Sequence, residues 1–325
     1  MNASTPLVSI LIRSMDRPTL QRALHSAAAQ TWPNLEIVLV AACGAAHRAL
    51  GDTFEGRTLR LIVPQPDRRL PRPAAANVAL ESARGEWLNF LDDDDELFPE
   101  HVSKLLGAPR DASQRVLYSR SEVRDADGKV TGHCGVGGFP IRFFYENLMT
   151  PNAALFARSL VVEGARFDAQ FPVYEDHDFF VNCAARTRLC FSDAVTCTWN
   201  AHSGESGLGH GINRGVTQRA ELSDLLRRKW APVFERWAHE PGALLQTGQH
   251  YLKAGDIDAA VDCLERALAL NPGDVNALNL CGMANLHQGN LQRAEALLTQ
   301  ALQRLPSHRA LQENLALIRA RRAAG

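Results

Sequence analysis

Short apolar runs alternate with stretches of helical spacing through the first part of this chain, and that alternation restricts its fold more than any other feature. Leu7-Val8-Ser9-Ile10-Leu11-Ile12 is almost continuously apolar, as strands covered on both faces are. After Pro18 and Thr19, Leu20, Ala23, Leu24 and Ala27 recur at helical spacing, which predicts a helix opening near Thr19 and closing before Pro33. Leu35 to Val40 reads as a second strand, Leu59 to Val63 as a third, Ala74 to Ala83 as a helix and Trp87 to Leu91 as a fourth strand. Strand–helix–strand units of this kind give a mostly parallel sheet with helices on both faces. Ligands of such sheets bind beyond the carboxyl ends of the strands.

The fourth strand runs directly into Asp92-Asp93-Asp94-Asp95. Two carboxylates about 5 Å apart repel by roughly 3 kcal/mol at an effective dielectric of about 20. Four of them at one strand end favour protonation or a hard divalent ion with oxygen ligands. A solvated acidic turn is the plainer reading of an aspartate run. The buried strand before it, and the helix-like Phe98-Pro99-Glu100-His101-Val102 after it, favour a cation site.

From about residue 243 the pattern changes. Gly255, Ala260, Ala267, Leu268 and Pro272 recur as Gly289, Ala294, Ala301, Leu302 and Pro306, each at an offset of 34 residues. That is the tetratricopeptide period, and the segment from Ala259 to Pro272 resembles the second helix of such a repeat with its closing proline. Two repeats and a capping helix from about His308 to Arg321 are predicted. Arrays of this kind usually need more repeats to stand alone, so docking on the first domain or on a protein partner is expected. The organisation read from the sequence is a domain over 1–212, a helical connector over 213–242 and repeats over 243–325.

Composition excludes several classes. The formal net charge is −1, which gives no electrostatic case for a nucleic-acid partner. Seven cysteines form no CxxC pair and most lie in apolar stretches, as reduced thiols do in a reducing compartment. No leader pattern and no apolar run of membrane-spanning length are present. The expectation is a cytoplasmic protein, with peripheral contact at the inner face of the membrane left open.

Further motifs carry a family resemblance. Val8-Ser9-Ile10-Leu11-Ile12, Asp16-Arg17-Pro18 and Ala29 to Val38 look like the opening of family 2 glycosyltransferases with the GT-A fold. Ala75-Ala76-Asn77, Ala83 to Trp87 and Phe90 to Asp95 resemble the stretch around that family's DxD motif. Tyr174-Glu175-Asp176-His177-Asp178 is similar to its ED motif opening a helix. The resemblance spans roughly residues 5 to 205. It implies an α/β GT-A domain with a mostly parallel central sheet, followed by an all-α repeat segment. It also implies a metal-dependent, inverting transfer from a nucleotide-sugar donor to a glycan, lipid-linked saccharide or protein. Asp92, Asp94 and Asp95 then correspond to ligands of Mn²⁺ or Mg²⁺, and all-oxygen ligation argues against zinc. Asp176 corresponds to the general base, with Glu175 and Asp178 beside it. Arg13, Ser14, Arg17, Arg72, Asn77, Asp93 and His202 fall where the family places donor contacts, and the glycines from Gly204 to Gly211 suggest a mobile loop.

One departure stands out. Family members usually carry Val-Asp-Asp-Gly-Ser after the second strand, and this chain has Val40-Ala41-Ala42-Cys43-Gly44. The carboxylate that accepts from the base N–H is absent, so the base is read by backbone groups, or is not uracil, or the donor site has decayed. A non-catalytic scaffold whose repeats bind a protein is the alternative from another class. A pyrophosphorylase would need a Gly- and Arg/Lys-rich loop near the N-terminus, which is missing. A glycoside hydrolase would not explain the nucleotide-type half.

Overall fold

The computed structural model describes residues 5–137, 141, 143, 147–201, 216–239 and 241–323, without the side chains of 216–220 and 241. They divide into two compact units, one of residues 1–137 and 145–229, the other of 138–144 and 230–325.

The first unit is built on a ten-stranded mixed sheet in the order β3-β4-β2-β1-β5-β9-β7-β10-β6, with β8 paired to β7. β1 (Val8–Ser14), β2 (Leu35–Ala41), β4 (Arg57–Ile62) and β5 (Trp87–Asp92) are parallel neighbours. β3 (Thr53–Phe54) turns back onto β4. Beyond β5 the sheet turns antiparallel at β9 (Ala154–Ala157), which pairs both β5 and β7 (Gln114–Arg124). β10 (Arg188–Asn200) lies parallel to β7, β6 (Glu96–Leu97) closes the edge and β8 (Val130–Cys134) hangs on β7. The chain moves from β1 outward to β2 and β4, then returns to place β5 on the other side of β1. The strand order therefore reverses between β1 and β5, where sheets of this type open a crevice at their carboxyl ends.

α1 (Leu20–Ala28) buries Leu20, Ala23, Leu24 and Ala27 at the predicted spacing. α2 (Arg72–Ser82) sets Ala75, Ala76, Ala79 and Leu80 against the sheet, and α3 (His101–Gly107) follows β6. α4 (Arg158–Val162) is one short turn after β9. α5 (Glu175–Ala184) is held by aromatic packing. Phe179 stacks on Phe167 with centroids 4.3 Å apart, and both Phe179 and Phe180 meet Phe156 edge-on. Phe156 in turn stacks on Phe90 of β5. These rings fix the N-terminus of α5 against the end of β5.

α6 (Val216–Trp237) runs from the first unit into the second. The second unit then pairs α7 (Pro241–Ala254) with α8 (Ile257–Leu270) and α9 (Val275–Gln288) with α10 (Leu291–Arg304), followed by α11 (Arg309–Ala323). Asp256 caps α8 by accepting from the Ala259 N–H, and Asp274 caps α9 from Asn276 and Ala277. Gly289 closes α9 in the left-handed conformation, φ 90°. Leu264, Leu268, Leu278, Cys281, Leu297, Leu298, Leu311 and Ile318 form its core. No described helix is long and apolar enough to cross a membrane.

Candidate active site

Four elements meet at the crevice between β1 and β5. Arg13, near the end of β1, directs Nε and Nη2 to Asp92 Oδ1 at 3.0 and 2.7 Å. Its Nη1 reaches Glu175 Oε1, the first residue of α5, at 3.1 Å. Arg72, the first residue of α2, gives Nε to the same Glu175 oxygen at 2.8 Å, and its Nη2 lies 3.6 Å from Asp92 Oδ2. Arg13 is 7% exposed and Glu175 1%. Burial alone would push the Asp92 carboxyl up, but Arg13 first and Arg72 next outweigh it and hold it below the usual range. Glu175 is pushed up, because burial and the neighbouring Asp176 outweigh its two arginines.

The other aspartates diverge. Asp93 turns back to the loop after β1, where Oδ2 accepts from the Met15 N–H at 2.8 Å and Oδ1 meets Arg17 Nη1 at 2.9 Å. Arg17 Nη1 also reaches Asp94 Oδ2 at 3.1 Å. Asp95 is buried, and its Oδ1 accepts from the Asn200 N–H at 2.8 Å. Its carboxyl is pushed well above the ordinary range by burial and by the charges of Asp94 and Asp92. Ser14 supports this loop by accepting from the Asp16 N–H at 2.9 Å. His47, which nothing in the sequence flagged, lies with Nε2 2.9 Å from the Ser14 hydroxyl and Nδ1 2.8 Å from the Arg48 carbonyl. The Ser14 hydroxyl also donates to Asp93 Oδ2 at 3.3 Å.

Asp176 follows Glu175 and is half-buried. Its Oδ2 accepts from the Asn147 amide at 2.9 Å, and the buried side-chain oxygen of Asn147 has no partner among the described residues. Sequence reasoning missed Asn147, since a lone asparagine outside any motif gives no signal. Asp178 is turned away and fully buried, its Oδ2 2.8 Å from Lys229 Nζ, which also holds Asp168. Asn77 braces a loop, donating to the Phe167 carbonyl and accepting from the Phe167 N–H. His202 and the segment Gly204–Gly211 lie outside the described residues.

Where the resemblance places a base-reading carboxylate, the structure has backbone. Ala42 gives its N–H to the Ser14 carbonyl and its carbonyl to Leu70, both at 2.8 Å. Gly44 takes φ +70°, and a Cβ there would sit 2.5 Å from the Pro66 carbonyl oxygen, so this turn admits only glycine.

The glycosyl transferase family 2 model matches residues 9–152, and a tetratricopeptide-repeat model matches residues 245–309. The chain carries a family 2 glycosyl transferase domain and a tetratricopeptide-repeat segment. Similar curated proteins include the uncharacterized glycosyltransferase MJ1057 of Methanocaldococcus jannaschii, 22% identical over 191 residues, 55% of this chain and 65% of the relative. The succinoglycan biosynthesis protein ExoO of Rhizobium meliloti is 31% identical over 112 residues, 34% of this chain and 32% of that protein. The chain thus matches less than two-thirds of the length of either. S. aureus TarS 1-349, solved in complex with UDP-GlcNAc, superposes with TM-score 0.50 at 15% identity, covering 96% of this chain and 90% of that one. This likeness is one of fold, and the fold is GT-A.

Proposed function

We propose that this family 2 domain transfers a sugar from a nucleotide-sugar donor to a hydroxyl acceptor, with divalent-metal dependence and inversion at the anomeric carbon. The observation that carries the reading is that Arg13 bridges Asp92 of the aspartate run and Glu175, the residue before Asp176.

The residues fit a hard divalent ion in chemistry rather than in preset spacing. The donors are all oxygen, and the charges of Asp94 and Asp92, which after burial raise Asp95, are what a cation would neutralise. Among the described residues no group of three His, Cys, Asp or Glu side chains is already spaced to hold an ion. Asp92 and Asp94 carry guanidinium partners instead. Asp92, Asp94 and Asp95 would hold Mn²⁺ or Mg²⁺, which supplies Lewis-acid stabilisation of the departing diphosphate.

The chain's own groups account for the rest. Arg17 and Arg72, both partly exposed at the crevice, bind diphosphate oxygens. Arg13, Ser14 and Asp93 fix the walls from β1 and its loop, and Asn77 holds the Phe167 loop. Asp176, oriented by Asn147, takes the proton of the acceptor hydroxyl. The freed oxygen attacks the anomeric carbon as the bond to the diphosphate oxygen breaks, so the proton ends on Asp176 and the electron pair on the diphosphate. The acceptor is a glycan, a lipid-linked saccharide or a protein, and the polysaccharide-biosynthesis name of one relative supports the first two. The repeats present a surface for a protein partner. All seven cysteines are free thiols, which supports a reducing, cytoplasmic setting.

Asp176→Asn tests the assignment. Transfer is expected to fall by about 10²–10⁴-fold, the range of a positioned base, with donor affinity retained. Near-normal turnover rules Asp176 out as the base.

A further inference from the structure

The pairing of Arg72 has a consequence for donor binding that rests on the diphosphate reading above. Two guanidiniums, Arg13 Nη1 at 3.1 Å and Arg72 Nε at 2.8 Å, share the single oxygen Oε1 of Glu175. Arg13 is fixed. It spends two further donors on Asp92 Oδ1, and its guanidinium carbon lies 5.7 Å from the Phe90 ring centroid. Arg72 is the member at the rim, with 30% of its side chain exposed against 2% for Glu175. The Glu175 carboxylate cannot turn to water and keeps Arg13 if Arg72 leaves. A diphosphate offers Arg72 a two-point match that one shared carboxylate oxygen does not.

We infer that Glu175 is an internal anion that competes with the donor diphosphate for Arg72, and that donor binding transfers Arg72 from Glu175 to the diphosphate. The transfer also bears on catalysis. Glu175 immediately precedes Asp176, and Tyr174 before it holds a left-handed φ of 64°, a strained conformation for a residue with a side chain. Releasing Arg72 removes one of the two guanidiniums that, among the described residues, anchor the Glu175 carboxylate at the N-terminus that carries Asp176. Glu175 is in this sense a positioning residue. It reports at the candidate base whether Arg72 is on the donor.

The test titrates the full chain with inorganic pyrophosphate in excess Mg²⁺ by calorimetry. Because an internal competitor reduces apparent affinity by the fraction of Arg72 it occupies, Glu175→Gln is expected to bind pyrophosphate about tenfold more tightly than wild type. Arg72→Gln is expected to bind more weakly, and the double variant no more tightly than Arg72→Gln alone. In transfer assays Glu175→Gln is expected to lower the donor KM and kcat together, whereas a merely structural role would weaken binding. A folded Glu175→Gln with unchanged or weaker pyrophosphate affinity overturns the inference, as does absence of pyrophosphate binding in every variant. If Glu175→Gln does not fold, Arg72→Gln decides, and its unchanged pyrophosphate affinity has the same force. Nucleoside diphosphates binding no more tightly than pyrophosphate would defeat the nucleotide-donor reading while leaving the tenfold comparison intact.

Discussion

Individual side chains in this protein are placed by partners far away in sequence, and His101 shows what such placement costs. It opens α3 fully buried, with Nδ1 2.7 Å from the Thr196 hydroxyl and Nε2 3.3 Å from the Asn89 amide nitrogen. The Asn89 amide also donates to the Asn152 and Ala154 carbonyls, each at 2.9 Å, and the buried ring is neutral. Burial pushes its pKa down from 6.5 to about 3. The unfolded chain therefore takes up a proton that the folded chain refuses. The stability this group contributes is complete above pH 6.5 and is lost as the pH falls toward 3, at about 1.4 kcal/mol per pH unit. Equilibrium unfolding at about pH 7 and about pH 5 should show wild type losing about 2 kcal/mol more than His101→Gln over that interval. Equal losses would mean that the imidazole is protonated in the native state. The same dependence on distant partners makes the crevice hard to read from sequence. Arg13 and Glu175 are 162 residues apart, and nothing in either motif states that they meet. The motif residues Asp92 to Asp95 and Asp176 were legible as chemistry. Arg13, Arg17 and Arg72 were marked only as donor contacts by resemblance, with no sign that they pair with these carboxylates, and Asn147 gave no signal at all.

At the scale of elements, legibility followed apolar continuity. β1, β2 and β5 fall where their apolar runs placed them, and α1 has its predicted buried positions. β3 and β6, of two residues each, are too short to leave a period. β7 and β10 were concealed for a different reason, their interior being partly polar. Ser119 and Thr196 are both buried and share a 2.6 Å hydrogen bond, and buried Ser121 pairs with Thr150. Mutual satisfaction of hydroxyls lets a strand be buried without an apolar run. In the helical unit the 34-residue offset was legible, and the structure adds its physical basis. A Cβ on Gly248 would lie 2.5 Å from Leu264 Cγ, and one on Gly282, 34 residues later, 3.1 Å from Leu298 Cγ. Each glycine lets two helices approach under a leucine. In an exposed helix Gly→Ala stabilises by about 1 kcal/mol. Gly248→Ala should instead destabilise this unit by about 1–3 kcal/mol through overpacking, with Gly282→Ala milder. A raised thermal midpoint in Gly248→Ala would show that Leu264 has room to move.

At the scale of the whole chain, sequence order and spatial units do not coincide. Ile141 and Phe143 lie among first-unit residues in sequence but belong to the helical unit. There Ile141 is fully buried against Ala238, Ala243, Leu244 and Ala267. Ile141→Ala should cost about 2–5 kcal/mol, read as lost amide protection in α7 and α8 with protection in β1 and β2 unchanged. Loss spread equally over both units would contradict the assignment of Ile141. Among the described residues the crevice is built by β1 and its following loop, β5, α2 and α5, with Asn147 and Asn200 beside them. The central claim is that this crevice holds a nucleoside diphosphate through a metal ion on the aspartate run. Its most direct test is the melting temperature of wild type and Asp94→Ala with UDP, GDP, dTDP and CMP, each with and without Mn²⁺. One nucleotide should stabilise wild type only when Mn²⁺ is present, by about 2.7 kcal/mol at a hundredfold excess over Kd, and Asp94→Ala should abolish the shift. No shift with any nucleotide, or an equal shift without metal or in Asp94→Ala, would contradict the account and favour a scaffold built on a transferase fold.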